Sequence, residues 1–169
     1  MKITKIHSIV LLVAIVLSST YSLNSFAKLP VNKEASARTQ QDNTSSLINH
    51  YLKIKDALVN SNAKEASDEA QKLKAYISKN KAEYSKMSKP VKAIASSNSL
   101  NVQRNAFSDL SALVYQSQKE DSKNVTLYRQ YCPMAFDYAG GYWLSAEKEV
   151  NNPYFGDKML HCGKVVEEM

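Results

Sequence analysis

No glycine occurs in the first 139 residues of this chain, and only four occur in all of it. A stretch that long without glycine has no loop whose backbone amides wrap a phosphate, so nucleotide-cradling motifs are excluded there. Cysteine is scarcer still: Cys132 and Cys162 are the full complement. Their separation excludes a Cys-x-x-Cys redox pair, and no Ser, His and Asp set forms a recognisable nucleophile motif. The expectation is a protein that is not an enzyme. Charge of one sign is not in excess either, with 22 basic against 16 acidic residues and a net charge of +6. The lysines are scattered among Asp and Glu with no basic stripe, which excludes nucleic acid as the partner. Long apolar runs are missing apart from residues 9 to 17, far short of the roughly 20 residues that span a bilayer.

That one run has a different meaning. Lys2 and Lys5 precede it, and Ser25-Phe26-Ala27 follows with small residues where a signal peptidase reads. Residues 1–27 are therefore expected to be a signal peptide, removed on export. No cysteine lies near the cleavage point to accept a lipid, so the mature form is expected to be exported, soluble and without a membrane partner. Removing Lys2 and Lys5 leaves 20 bases against 16 acids, a net charge of +4. Asn43-Thr44-Ser45 and Asn124-Val125-Thr126 match the glycosylation triplet, which matters only in a eukaryotic secretory pathway.

Residues 28–44 are polar and predict a flexible leader. From 45 to 120 the pattern turns helical. Leu47, Tyr51, Ile54 and Leu58, with Ile48, Leu52 and Val59 beside them, make one broad apolar face. Asn62 with Glu65 three residues on predicts a cap for the second helix, which carries Ala66, Ala70, Leu73 and Ile77. A third helix carries Tyr84, Met87, Val91 and Ile94, with a start near Ser88 favoured by Pro90. The fourth buries Val102, Ala106, Phe107, Leu110, Leu113 and Val114. The fold class expected is mainly α, an up-and-down four-helix bundle. Residues 121–169 are written differently, holding all four glycines, the single Trp and both cysteines. They predict a compact turn-rich segment packed on the bundle as part of the same domain, with short strands over 125–131 and 142–144.

That segment carries the distinctive chemistry. Pro133 pushes Cys132 toward extended backbone, where Cys132 and Met134 point to one side. Met159 and Cys162, three apart, share a face on a single helical turn. Two thiolates and two thioethers converging from two backbones suit a soft ion, Cu(I). Zinc prefers thiolate with imidazole or carboxylate. Two cysteines in an exported chain also form a disulfide by default, and closing this loop stabilises by about 3–4 kcal/mol. Both readings stand at this stage: Cys132, Met134, Met159 and Cys162 as metal ligands, or Cys132–Cys162 as a disulfide in a structural or partner-binding module. His161 adjoins Cys162 and points elsewhere if that thiol faces a metal. His50 sits beside the apolar stripe as a boundary residue, and Glu147 and Glu149 read as a solvated charged stretch.

The motifs Tyr128-Arg129-Gln130-Tyr131-Cys132-Pro133-Met134-Ala135, Gly141-Tyr142-Trp143-Leu144-Ser145, Asn152-Pro153-Tyr154-Phe155-Gly156 and Met159-Leu160-His161-Cys162-Gly163 resemble one family. It is the domain of unknown function 3347 family of bacterial periplasmic proteins, also found fused to CusB-type heavy-metal efflux adaptor subunits. Tyr51 to Leu58 and Gln103 to Phe107 are similar to its helical part, so the resemblance runs from about Leu47 to Glu168. It implies copper or silver handling, with an efflux adaptor or another periplasmic copper protein as partner. It also places Cys132, Met134, Met159 and Cys162 at the family's Cys-Pro-Met and Met-Leu-x-Cys-Gly positions. Gly141 stands where the resemblance leads one to expect Ala, a change expected only to loosen a turn.

Overall fold

The computed structural model describes residues 33–120 and 125–169, with side chains from 46 onward except those of 81 and 120. The expected signal peptide, and the leader up to residue 32, lie outside the described residues. Five helices, α1 (Lys33–Val59), α2 (Ala63–Lys79), α3 (Lys81–Tyr84), α4 (Ser88–Ala95) and α5 (Leu100–Glu120), precede three strands, β1 (Tyr128–Cys132), β2 (Gly141–Ser145) and β3 (Lys164–Glu168). The molecule is thus mainly helical, with a small antiparallel sheet at its C-terminal end in the order β2-β1-β3.

The first helix starts at Lys33, inside the stretch expected as a leader. Residues 33–44 contain Glu, Ala, Arg and Gln and neither Gly nor Pro, so nothing in them breaks a helix. Its later turns bury Leu47, Ile48, Tyr51, Ile54, Ala57 and Leu58. The cap of α2 forms, with Asn62 Oδ1 accepting from the Glu65 N–H at 3.1 Å. The Glu65 carboxylate returns to the Asn62 side-chain amide at 3.0 Å, because the Asn62 N–H is already donated to the Ala57 carbonyl. Ala66, Ala70, Leu73 and Ile77 are buried as their spacing predicts. Helix α4 begins at Ser88, which leaves Pro90 in the first turn, where its missing N–H costs no intrahelical bond.

One helical face is phased differently from its expectation. In α5, Val102 is exposed and Gln103 is fully buried in its place, followed by Ala106, Phe107, Leu110 and Val114. The reason is polar: the Gln103 side-chain amide reaches inward to the Ser97 carbonyl at 2.6 Å and the Ala63 carbonyl at 2.8 Å. It closes the end of α4 against the start of α2, and that task fixes the rotation of α5.

Expected strands appear as β1 and β2, paired with Cys132 opposite Gly141 and Tyr128 opposite Ser145. The third strand, β3, goes beyond that expectation. It returns along the other side of β1, pairing Tyr131 with Lys164 and Tyr128 with Glu168. The sheet is fastened to the helices through Tyr51, whose buried hydroxyl accepts the Leu144 N–H at 2.9 Å and meets Ser111 Oγ at 2.8 Å. Burial pushes that phenol far above the ordinary tyrosine pKa, so it stays protonated and bonded. Gly141 is a strand residue, not a turn residue. A Cβ there would stand 2.6 Å from the Tyr154 ring, so its bareness makes room for that ring and does not loosen a turn.

Candidate functional site

Both cysteines are held by the sheet and the loop that covers it. Cys132 ends the central strand β1 and is fully buried. Cys162 lies just before β3, partly exposed, in a turn closed by its own N–H on the Met159 carbonyl at 3.0 Å. The two sulfurs stand 2.7 Å apart. So the ends of the glycine-bearing segment do meet, thiol against thiol. The contact with Cys132, followed by burial, pushes the Cys162 thiol above its ordinary pKa, opposed by the Met134 N–H directed at its sulfur.

Asn152 sets the position of Cys162. It is fully buried, its side-chain amide donates to the Cys162 carbonyl at 2.7 Å, and its Oδ1 accepts from the Tyr154 N–H at 2.8 Å. Its own N–H reaches the Leu160 carbonyl at 2.8 Å. Gln130 does similar work on the preceding loop, donating to the carbonyls of Glu147 at 2.9 Å and Glu149 at 3.0 Å. Tyr154 closes the assembly from above, donating to the Tyr142 carbonyl and packing on Phe107, Phe136 and Trp143.

The methionines are placed differently from their expectation. Extended backbone stops at Cys132, and Met134 adopts right-handed helical angles that open a turn. Cys132 is therefore buried while Met134 is 36 % exposed, and the two do not share a side. The turn then runs through Phe136, Asp137 and Tyr138, all with positive φ of 54–69°. Three such non-glycine residues in succession cost about 1–2 kcal/mol each and hold only where packing overrides them. Here the Phe136 ring lies 4.8 Å from that of Tyr154. Met134 and Met159 line one open groove of about 480 Å³ with Arg104, Phe136, Tyr138 and Phe155. Thiols are thus paired with each other, and the thioethers border a groove that the thiols do not line.

The remaining sites resolve simply. His161 is exposed and donates from Nδ1 to the Val150 carbonyl at 2.9 Å. His50 is on the helical boundary, 3.9 Å from Glu69, and burial lowers its pKa despite that carboxylate. Glu147 is not merely solvated. Its carboxylate meets the buried Lys55 ammonium at 3.1 Å, and Lys55 holds it below the ordinary carboxylate pKa. Lys55 also reaches Asp56 at 2.8 Å, and this buried lysine escapes the sequence pattern altogether. Among the described residues, no group of three or more His, Cys, Asp or Glu is placed to hold an ion. None of the described helices is long and apolar enough to cross a membrane.

Comparison with known proteins adds one finding. A family model described as "Protein of unknown function (DUF3347)" matches residues 47–126, the helical part up to the approach to β1. The match stops short of both cysteines. No curated protein and no solved structure matches the chain.

Proposed function

We propose that this chain, a member of the DUF3347 family through residues 47–126, is a periplasmic soft-metal protein. It holds Cu(I), with Ag(I) as the alternate, through the paired thiols of Cys132 and Cys162, and passes it to an efflux system. We read the helices, packed in the order α1, α2, α4, α5, as an up-and-down bundle that carries this site at its end. The observation that carries the reading is the 2.7 Å approach of two sulfurs from opposite ends of the C-terminal segment. Soft thiolates select a soft monovalent ion, and two suffice for linear coordination. Met134 and Met159, on the neighbouring groove, supply thioethers for ion entry or exit rather than a closed four-sulfur cage. An accessible route of that kind suits transfer better than storage.

The fit requires movement. In linear coordination two sulfurs, each at about 2.3 Å from the ion, stand about 4.6 Å apart, so the pair must open by about 2 Å. Cys162 is the side that can move, since it lies in a turn while Cys132 is locked in the central strand.

The same closeness favours a second reading, a non-catalytic structural or partner-binding module stapled by a Cys132–Cys162 disulfide. One experiment separates them. The reduced chain is titrated with Cu(I) against a chromogenic chelator, beside Cys162→Ala and Met134→Ala. One Cu(I) per chain is expected, with affinity lost about 100-fold or more in Cys162→Ala and about tenfold in Met134→Ala. Should the reduced wild type compete no better than Cys162→Ala, the metal reading is lost. Absence of free thiols in the non-reduced chain would then support the staple.

A further inference from the structure

The two thiols are close but not equivalent, and the difference assigns them an order of reaction. Cys132 is fully buried at the end of the central strand, with β2 on one side and β3 on the other. Cys162 is partly exposed, in a turn followed by Gly163 at φ 145°. Asn152 anchors the Cys162 carbonyl, and the sulfur of this partly exposed residue stands against Cys132. Exchange of a thiol with a disulfide proceeds by attack on an accessible sulfur, so access decides which member of a pair reacts first.

We infer that Cys162 is the entry sulfur for thiol–disulfide exchange with a linear disulfide, and that Cys132 is the resolving thiol. The inference rests on the thiol apposition used in the metal reading, but not on any metal. In the first step the Cys162 thiolate attacks one sulfur of a disulfide R–S–S–R. The S–S bond of the reagent breaks, RS⁻ leaves, and a mixed disulfide forms on Cys162. In the second step Cys132, already 2.7 Å away, attacks the Cys162 sulfur and expels the second RS⁻. The protons from the two protein thiols end on two RSH molecules, and the protein pair has lost two electrons to the reagent. Reduction runs the same path backwards: a thiolate attacks Cys162, because Cys132 offers no approach, and the Cys132 thiolate is the leaving group. Closure occupies both sulfurs, so the oxidised chain has no dithiolate left to offer an ion.

Glutathione disulfide is the probe, added in excess to the reduced metal-free chain, with intact-mass readout. Wild type is expected to lose two hydrogens with no lasting adduct. Cys132→Ser should accumulate one glutathione on Cys162, and Cys162→Ser should react at least about tenfold more slowly. Equal or faster reaction of Cys162→Ser, or a lasting adduct on wild type, overturns the assignment. If either variant fails to fold, limiting iodoacetamide on reduced wild type replaces it, with peptide mapping of the label. Label concentrated on Cys162 is expected, and equal label on Cys132 overturns the order. Copper binding without this exchange order defeats only the present inference, and the order without copper binding defeats only the metal reading.

Discussion

From Leu47 to Val114 the buried positions are mostly aliphatic or aromatic, with Lys55, Ser67, Gln103 and Ser111 as the polar exceptions. From Leu127 onward, Gln130, Ser145 and Asn152 are buried beside a much smaller apolar set of Leu127, Cys132, Ala135, Trp143, Leu144 and Tyr154. The difference follows from backbone hydrogen bonding. A helix satisfies its own amides and carbonyls, so its core can be apolar. A turn-rich loop does not, and its buried carbonyls need side-chain amides to meet them. Gln130 and Asn152 are those amides, and Asn152 holds the Cys162 carbonyl. The helical half is held by area, the C-terminal segment by a few directional bonds.

Three substitutions probe that contrast. The largest effect is expected from Phe107→Ala. Its ring stacks on Tyr51 at 5.0 Å and meets Tyr154 at 6.2 Å, so it belongs to both regions. A loss of about 3–5 kcal/mol is expected in urea unfolding, with circular dichroism and Trp143 fluorescence still moving together. Separate transitions would show that the two regions unfold independently.

Next comes Asn152→Ala, expected to cost about 2–3 kcal/mol by leaving buried partners unmet. Hydrogen exchange should quicken around 154–162 while α1 and α2 keep their protection. Equal loosening of the helices would erase the distinction between the two regions. The smallest effect is that of Glu147→Gln. Lys55 lowers the Glu147 pKa from its ordinary value of 4.5, so this carboxylate stabilises the fold above the unfolded pKa. The contribution is lost as pH falls through the lowered folded value. The carboxylate is 60 % exposed, and under about 1 kcal/mol is expected. The Tm gap between wild type and Glu147→Gln should be present at neutral pH and close as the pH falls below the ordinary carboxylate range. A gap that widens in acid would contradict the pairing.

Much of the helical half is legible in the order of its residues, because a 3.6-residue period by itself marks a buried stripe. Leu73 and Ile94 fall where their spacing puts them. Lys55 cannot be read that way: a lysine in a helix suggests solvent, and its partner Glu147 is 92 residues distant. Val102 and Gln103 exchange roles for a similar reason, since the carbonyls that draw Gln103 inward come from outside its own helix. In the C-terminal segment the meeting of Cys132 and Cys162 follows from the sequence pattern, while the direction of Met134 does not. Pro133 signals an extended residue before it but says nothing of the left-handed run that follows. β3 is short and mostly charged, and only its return along β1 makes it a strand.

The Tyr51 hydroxyl has a consequence for how copies of this protein behave in a crowd. A three-stranded sheet has two rims, each a template onto which another chain can zip. On the β2 rim the Leu144 amide is already taken by a helix side chain, which interrupts that template near the end of the strand. The β3 rim bears Lys164, Glu167 and Glu168, charges that a docking strand would have to strip of water. Both flanks of this small sheet are thereby poorer templates for a further strand, through a phenol on one and ionic side chains on the other.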